Sequence, residues 1–232
     1  MSAKIVVVFN QKGGCAKTMT TMQLAGTWGR MGLRVFVVDM DPQNTAKLWE
    51  LQASSDQPFS ADVESFAPLK KHFVDKLEPL LEKFDVILID CPPSAESDVP
   101  WTALLIADYA IIPVIPVMDN VWASKIAEEL VLKARAERSA ADGPLQAAYL
   151  LSMNRKGKVF DVCLEALKKD IQLPILKSRI GMRNAYPECQ LYGCTVGDFA
   201  ESTASKEVEM AATEIGKQIG LKFTKQKGSK HE

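Results

Sequence analysis

Five consecutive apolar residues, Ile5-Val6-Val7-Val8-Phe9, run directly into Asn10-Gln11-Lys12-Gly13-Gly14-Cys15-Ala16-Lys17-Thr18, and this junction constrains the fold more than any other stretch. The apolar run shows no alternation, so it reads as a strand buried on both faces, as in a parallel sheet covered by helices. The glycines allow a tight turn, and a helical period begins near Lys17. A strand, a glycine-bearing turn and a helix start bring successive backbone N–H groups and the positive end of the helix dipole to one point. Such a point favours a phosphate chain. Lys17 is placed to neutralise β- and γ-phosphates, and the Thr18 hydroxyl to ligate magnesium. The stretch departs from a strict G-x-x-x-x-G-K-[ST] pattern at Gln11 and Ala16, where glycines are expected.

The rest of the chain repeats the alternation. Strands are expected at 4–10, 34–39, 60–63, 86–90, 109–114, 146–153 and 175–177, with helices near 17–31, 44–52, 69–83, 99–107, 120–139, 159–169 and 204–219. Short β-branched runs separated by helical segments are the signature of βαβ units. The expected fold class is therefore α/β, a P-loop three-layer fold with a mostly parallel sheet flanked by helices. At 232 residues the chain is long enough to bury one such core without disulfides or metals. No repeat or low-complexity linker divides it, so residues 1–220 are expected to form a single domain. Residues 221–232, with Lys222, Lys225, Lys227 and Lys230 among polar residues, are expected to be a basic disordered tail.

Composition removes several other classes. Five scattered cysteines without a C-x-x-C pair suggest neither a disulfide framework nor a zinc knuckle. With only His72 and His231, a histidine-rich metal site or a Ser-His-Asp triad is not expected. The longest apolar stretch, Tyr109 to Met118, holds two prolines and falls far short of the roughly 20 residues that span a bilayer. The N-terminal segment lacks a secretory pattern, which leads to the expectation of a cytoplasmic protein. Chemistry is left to carboxylates, lysines and backbone amides.

Two carboxylate segments follow later strands: Asp39-Met40-Asp41-Pro42-Gln43 and Asp90-Cys91-Pro92-Pro93-Ser94. Acids at the C-terminal ends of parallel strands lie beside the phosphate loop, at the ligand crevice of an open α/β sheet. One can reach magnesium and another can orient an attacking water, the two tasks that nucleotide hydrolysis requires.

These elements together resemble the ParA/MinD family of deviant Walker A ATPases, and the resemblance covers nearly the whole chain. It rests on the K-G-G-x-x-K-[ST] form (Lys12, Gly13, Gly14, Lys17, Thr18), the D-x-D-P-Q segment, the D-x-P-P-S segment, the strand Ala110 to Val114, and the pair Asn154-Arg155. Without a helix-turn-helix segment before the first strand, the chain looks like a short-form ParA partition protein. The resemblance implies ATP and Mg2+ as cofactors and a homodimer bridged by ATP. Lys12 would point away from its own loop to phosphates held by the other subunit. Lys17 and the amides of Gly13, Gly14, Cys15, Ala16, Lys17, Thr18 and Met19 would cradle the local phosphates. Thr18, Asp41 and Asp90 would act around magnesium, with Asp41 orienting the water, while Asn154 and Arg155 would line adenine. Guanine is disfavoured independently, because no N-K-x-D sequence is present. Ala16 replaces the usual glycine and Met19 a usual threonine. The added Cβ at residue 16 would either crowd the loop or be accommodated by a negative φ.

The formal net charge of -1 conceals two unlike regions. Residues 39–98 hold thirteen acids against five lysines, and residues 155–183 hold eight bases against three acids. Lys177, Arg179 and Arg183 fit a phosphate-contacting face that dimerisation would double. The leading expectation is a ParA-type switch that binds nonspecific DNA in its ATP state, is nucleoid-associated then, and positions or segregates a plasmid, chromosome or protein assembly. A ParB-like or cargo-adaptor protein would stimulate its slow hydrolysis. The alternative, a MinD-like membrane-surface ATPase, needs an amphipathic C-terminal helix that Ile219 to Phe223 supplies poorly. An iron-sulfur reductase would need paired cysteines at a dimer axis, and neither Cys91 nor Cys189 with Cys194 has that spacing.

Overall fold

The computed structural model describes residues 2–93, 97–169 and 171–223, so Ser94 of the D-x-P-P-S segment and most of the expected tail lie outside the described residues. Seven strands share one sheet: β1 (Lys4–Val8), β2 (Val35–Asp39), β3 (Asp62–Ser65), β4 (Val86–Asp90), β5 (Tyr109–Val114), β6 (Gln146–Asn154) and β7 (Ile175–Gly181). Their order is β3-β2-β4-β1-β5-β6-β7, and every pairing is parallel. The expected sheet was mostly parallel; it is wholly so. The chain leaves β1 toward β2 and β3, returns to β4, and then continues outward from β5. That reversal places a crevice at the C-terminal ends of the central strands.

The unbroken apolar runs are explained by the two layers that cover the sheet. Ile5, Val7, Phe9, Ile87 and Ile89 pack on one side, where α3 (Asp98–Ile106), α4 (Met118–Glu137) and α5 (Lys158–Lys169) lie. Val6, Val8, Val37, Val86 and Leu88 pack on the other, where α1 (Lys17–Arg30), α2 (Thr45–Glu50), α6 (Ala185–Tyr192) and α7 (Thr203–Gln218) lie. Alternate residues of each strand thus feed two cores. Close approach has a local requirement in α1: a Cβ on Gly29 would stand 1.7 Å from the Ser60 carbonyl oxygen.

Three local expectations are corrected. The helix expected at 69–83 is instead a pair of 3-10 segments, Ala67–Lys76 and Glu78–Leu80, with Lys70 at φ 49. Pro79 lacks the N–H that a continuous helix would use there, and its ring opposes the preceding turn. The last strand extends to Gly181 rather than Lys177, because Leu176, Ser178 and Ile180 turn inward while Lys177 and Arg179 face solvent. Helix α6 was not expected; its Pro187 falls in the first turn, where proline is tolerated, and Gly193 ends it at φ 61.

Candidate functional site

The loop from Gln11 to Ala16 joins β1 to α1 and turns on two left-handed residues, Gly14 at φ 72 and Ala16 at φ 68. Of the two possibilities the sequence left open for the Ala16 Cβ, accommodation by a negative φ is not the one the structure shows. A side chain in the left-handed region costs roughly 1–2 kcal/mol, and Ala16 carries that strain at the entry to α1. Asn10 anchors the loop from below. Buried at the end of β1, it donates its amide to the Pro113 carbonyl at 2.9 Å and accepts from the Lys12 N–H at 3.3 Å.

Lys17 is buried and folds back over the loop, its ammonium donating to the Lys12 carbonyl at 2.9 Å. The Cys15 thiol donates to the same carbonyl at 3.1 Å. Burial pushes that thiol up, against the pull of the Lys17 charge, which disfavours a thiolate there. The Met19 side chain packs in the core beneath α1.

Thr18 and Asp90 meet directly, the Thr18 hydroxyl donating to Asp90 Oδ2 at 2.7 Å. Thr21, one turn further along α1, donates to Oδ1 at 3.1 Å. Sheet register produces this meeting: Val8, Asp90 and Asp39 stand in a row across β1, β4 and β2. Asp90 is fully buried, and desolvation is the main cause that pushes its carboxyl up to about 7. The two threonine hydrogen bonds oppose that rise, and the neighbouring Asp39 charge adds to it. A threonine hydroxyl beside a carboxylate, at the start of the helix that follows the loop, is a donor set that suits Mg2+ held jointly by protein and phosphates.

Asp41 lies beyond the end of β2 and makes no hydrogen bond to Thr18 or Asp90. Its carboxylate accepts from the Gln43 N–H at 2.9 Å, and it lines a cleft of about 660 Å3 with Pro42, Pro92, Pro93 and His72. Asp39 fixes this segment, accepting from the N–H groups of Asp41 and Lys47 at 3.0 Å each. Burial raises the Asp39 carboxyl above its ordinary range.

Lys12 does not stand free. Its ammonium is paired with Asp119, in the first turn of α4. Asn154 and Arg155 lie at the end of β6, two strands away from β1, where Asn154 faces Gly181 of β7 and Arg155 Nε contacts the Met182 sulfur at 2.6 Å. The three basic residues near β7 are all exposed but differ in their neighbours. Arg183 is engaged by Glu207 at 2.5 Å, whereas Lys177 and Arg179 form no ion pair among the described residues. Sequence reasoning missed Asn10, Thr21 and Asp119 as site residues. Only Thr21 had a usable signal, its position three residues after Thr18 on the same helix face.

Comparison with known proteins bears on the family and the fold. The sequence profile of the CobQ/CobB/MinD/ParA nucleotide binding domain matches residues 6–217. The maintenance of carboxysome distribution protein A of Halothiobacillus neapolitanus is 25% identical over 214 residues, covering 90% of this chain and 95% of its own. The chromosome partitioning protein ParA of Myxococcus xanthus is 31% identical over 146 residues, 47% of this chain and 51% of its own. Among solved structures, a Cyanothece McdA variant in complex with ATP superposes with a TM-score of 0.73 at 16% identity, covering 97% of this chain and 99% of that one.

Proposed function

The chain belongs to the CobQ/CobB/MinD/ParA nucleotide-binding domain family, and from that premise we propose that it is a ParA-type switch ATPase. In this reading it dimerises around ATP, binds nonspecific DNA in that state, and positions or segregates a cargo, with hydrolysis stimulated by a partner protein. The observation that carries the reading is the convergence of Lys17, Thr18 and Asp90 beneath the loop, with a second lysine, Lys12, at its mouth. An ordinary phosphate loop needs no second lysine there.

The loop amides and Lys17 bind the phosphates, and Lys17 gives up its bond to the Lys12 carbonyl to do so. Magnesium, when bound, neutralises phosphate charge, and Thr18 with Asp90 would hold it. Asp41, tethered through Asp39, orients the attacking water. Asn154 and Arg155 bound the side on which adenine would lie, and Lys12 leaves Asp119 to reach the phosphates of the other subunit. Lys177, Arg179 and Arg183 form the DNA face, doubled by the two-fold axis. Residues 1–220 act as one unit in this scheme, supported by the single sheet that all seven strands share. The protein works in the cytoplasm, on the nucleoid while ATP is bound.

Leu221 and Phe223 pack back on the core around α7, which supports the DNA-associated reading over a lipid-facing role for these two residues. No helix among the described residues is long and apolar enough to cross a membrane. Retention on immobilised nonspecific DNA tests the proposal. ATP-dependent retention that falls steeply with salt is expected; equal retention without nucleotide, or none at low salt, would overturn it.

A further inference from the structure

Helix α6 ends in a turn that carries two cysteines. The Cys194 N–H donates to the Cys189 carbonyl at 3.0 Å around Gly193, whose φ of 61 closes the turn. This is the bond with which a helix stops on a left-handed glycine, and it brings the first and last side chains of the turn together. Here those residues are Cys189 and Cys194, and their side chains meet. With the bond made, their Cα atoms stand no more than about 7 Å apart, within the reach of a disulfide. Cys15, Cys91 and Cys163 are buried on other elements.

The two sulfurs are unequal. Cys189 is fully buried, whereas Cys194 is half-buried and lines a cleft of about 390 Å3 with Gln52, Tyr192, Asp198 and Phe199. Burial pushes the Cys189 thiol up to about 12. Burial also pushes the Cys194 thiol up and the Asp198 charge adds to the rise, while Cys189 and Arg30 act against it. Thiols held in this way are slow nucleophiles, so the pair stays reduced through a brief exposure and answers only sustained oxidant. The turn is tied to both neighbouring helices. The Cys194 carbonyl accepts from the Trp49 indole of α2 at 3.0 Å, and the Val196 N–H donates to Gln23 of α1 at 3.0 Å. Gly193 sits so close to the end of α2 that a Cβ on it would stand 2.0 Å from the Ala53 nitrogen.

We propose that Cys189 and Cys194 form a site of reversible oxidation, closing as an intramolecular disulfide that locks the end of α6 against α1 and α2. The oxidant is a peroxide. The Cys194 thiolate attacks one peroxide oxygen and the O–O bond breaks, which leaves a sulfenic acid on Cys194, and the hydroxide released takes up the proton that Cys194 lost. The Cys189 sulfur then attacks the Cys194 sulfur. The S–S bond forms as the S–O bond breaks, and the departing hydroxide leaves as water with the Cys189 proton. In sum, two thiols lose two electrons and one hydrogen peroxide becomes two waters. The site goes beyond the ATPase reading and does not depend on it.

The test incubates the full chain with hydrogen peroxide, unfolds it, alkylates the remaining thiols and maps the tryptic peptides by mass. The thiols that react should fall from five to three. The peptide of residues 184–206, which holds both cysteines between the cleavage sites at Arg183 and Lys206, should be lighter by two hydrogens than its unalkylated reduced form. Dithiothreitol should restore both thiols, and hydrogen exchange over residues 189–196 should be slower in the oxidised chain than in the reduced one. Cys189→Ser should strand Cys194 as a sulfenic acid, trapped by dimedone at about tenfold or more above the wild-type level. Cys194→Ser should leave Cys189 unoxidised. The wild-type peptide map keeps the test decisive if either variant folds poorly. A disulfide to Cys15, Cys91 or Cys163, a cross-link between chains, sulfinic acid without a disulfide, or five thiols still reactive after prolonged exposure overturns the proposal.

Discussion

Lys12 and Asp119 form an ion pair across the mouth of the phosphate loop, one from the loop and the other from the start of α4. The bond from the Lys12 ammonium, followed by that from Asn120, holds the Asp119 carboxyl below the usual carboxylate range. In the proposed dimer, Lys12 must exchange this partner for a phosphate of the other subunit. The pair is solvent-exposed, so it sets a threshold rather than a block. Asp119→Asn should lower the protein concentration needed for ATP-dependent dimerisation by up to roughly fivefold, with little change in Tm. Light scattering at graded concentrations would measure it, and an unchanged midpoint would show that Lys12 is not restrained by Asp119.

Ala16 holds a φ of 68 at the entry to α1. Glycine adopts that conformation without the Cβ clash, although it also loosens the unfolded chain, which offsets part of the gain. Ala16→Gly should stabilise the protein by about 1 kcal/mol. Urea unfolding provides the comparison. A loss of stability would mean that the loop strain is compensated by contacts of the Ala16 methyl.

The sheet and the phosphate loop were readable because each rests on local chemistry. Unbroken apolar runs such as Val86 to Ile89 require two covered faces, and glycines before Lys17 require a turn. The positions of Asp41 and Asp90 at strand ends were readable from such runs, and only Asp90 meets Thr18 in the structure. What escaped the sequence depends on contacts distant along the chain. Asp119 meets Lys12 across a separation of 107 residues, and nothing local marks it. The sign of φ at Ala16 is set by loop closure between β1 and α1, which residue identity alone left open. Likewise, the pairing of Arg183 with Glu207 comes from packing of α7 beside β7, so charge counting treated three bases as equivalent when they are not.

That inequality carries its own prediction. Arg179 projects from β7 without an ion-pair partner among the described residues, while Arg183 already spends its charge on Glu207. A base that must leave a carboxylate gains less from a DNA phosphate. Arg179→Ala should therefore weaken ATP-dependent DNA retention more than Arg183→Ala and reduce the salt slope by about one phosphate contact per protomer. Equal effects would show that the Glu207 pair does not restrain Arg183, and no effect from either variant would remove both residues from the proposed DNA face.

Asp41 accepts from the Gln43 N–H, and its own N–H is held by Asp39. Removing the carboxylate leaves the phosphate loop and the Thr18–Asp90 pair untouched. Asp41→Ala should keep ATP binding and ATP-dependent dimerisation while losing turnover by about 100-fold or more. Rapid release of phosphate by this variant would take Asp41 out of its role.

Asp90 predicts how stability depends on pH. Burial, reinforced by the Asp39 charge and opposed by the threonine hydrogen bonds, pushes its carboxyl up to about 7. The folded protein then retains a proton that the unfolded chain releases near pH 4. Folding binds more protons in that window, so the stability of the nucleotide-free protein should fall as pH rises from about 4 to about 7 and level off above. A rise of this size corresponds to roughly 4 kcal/mol at the alkaline end, and Asp39, also raised by burial, acts in the same direction. Asp90→Asn removes the proton exchange while leaving an acceptor for Thr18. Its urea midpoint should decline less between pH 5 and pH 8 than that of the wild type and should exceed it at pH 8, even as magnesium-dependent nucleotide binding is lost. Parallel pH profiles for the two proteins would show that Asp90 is ionised throughout the range.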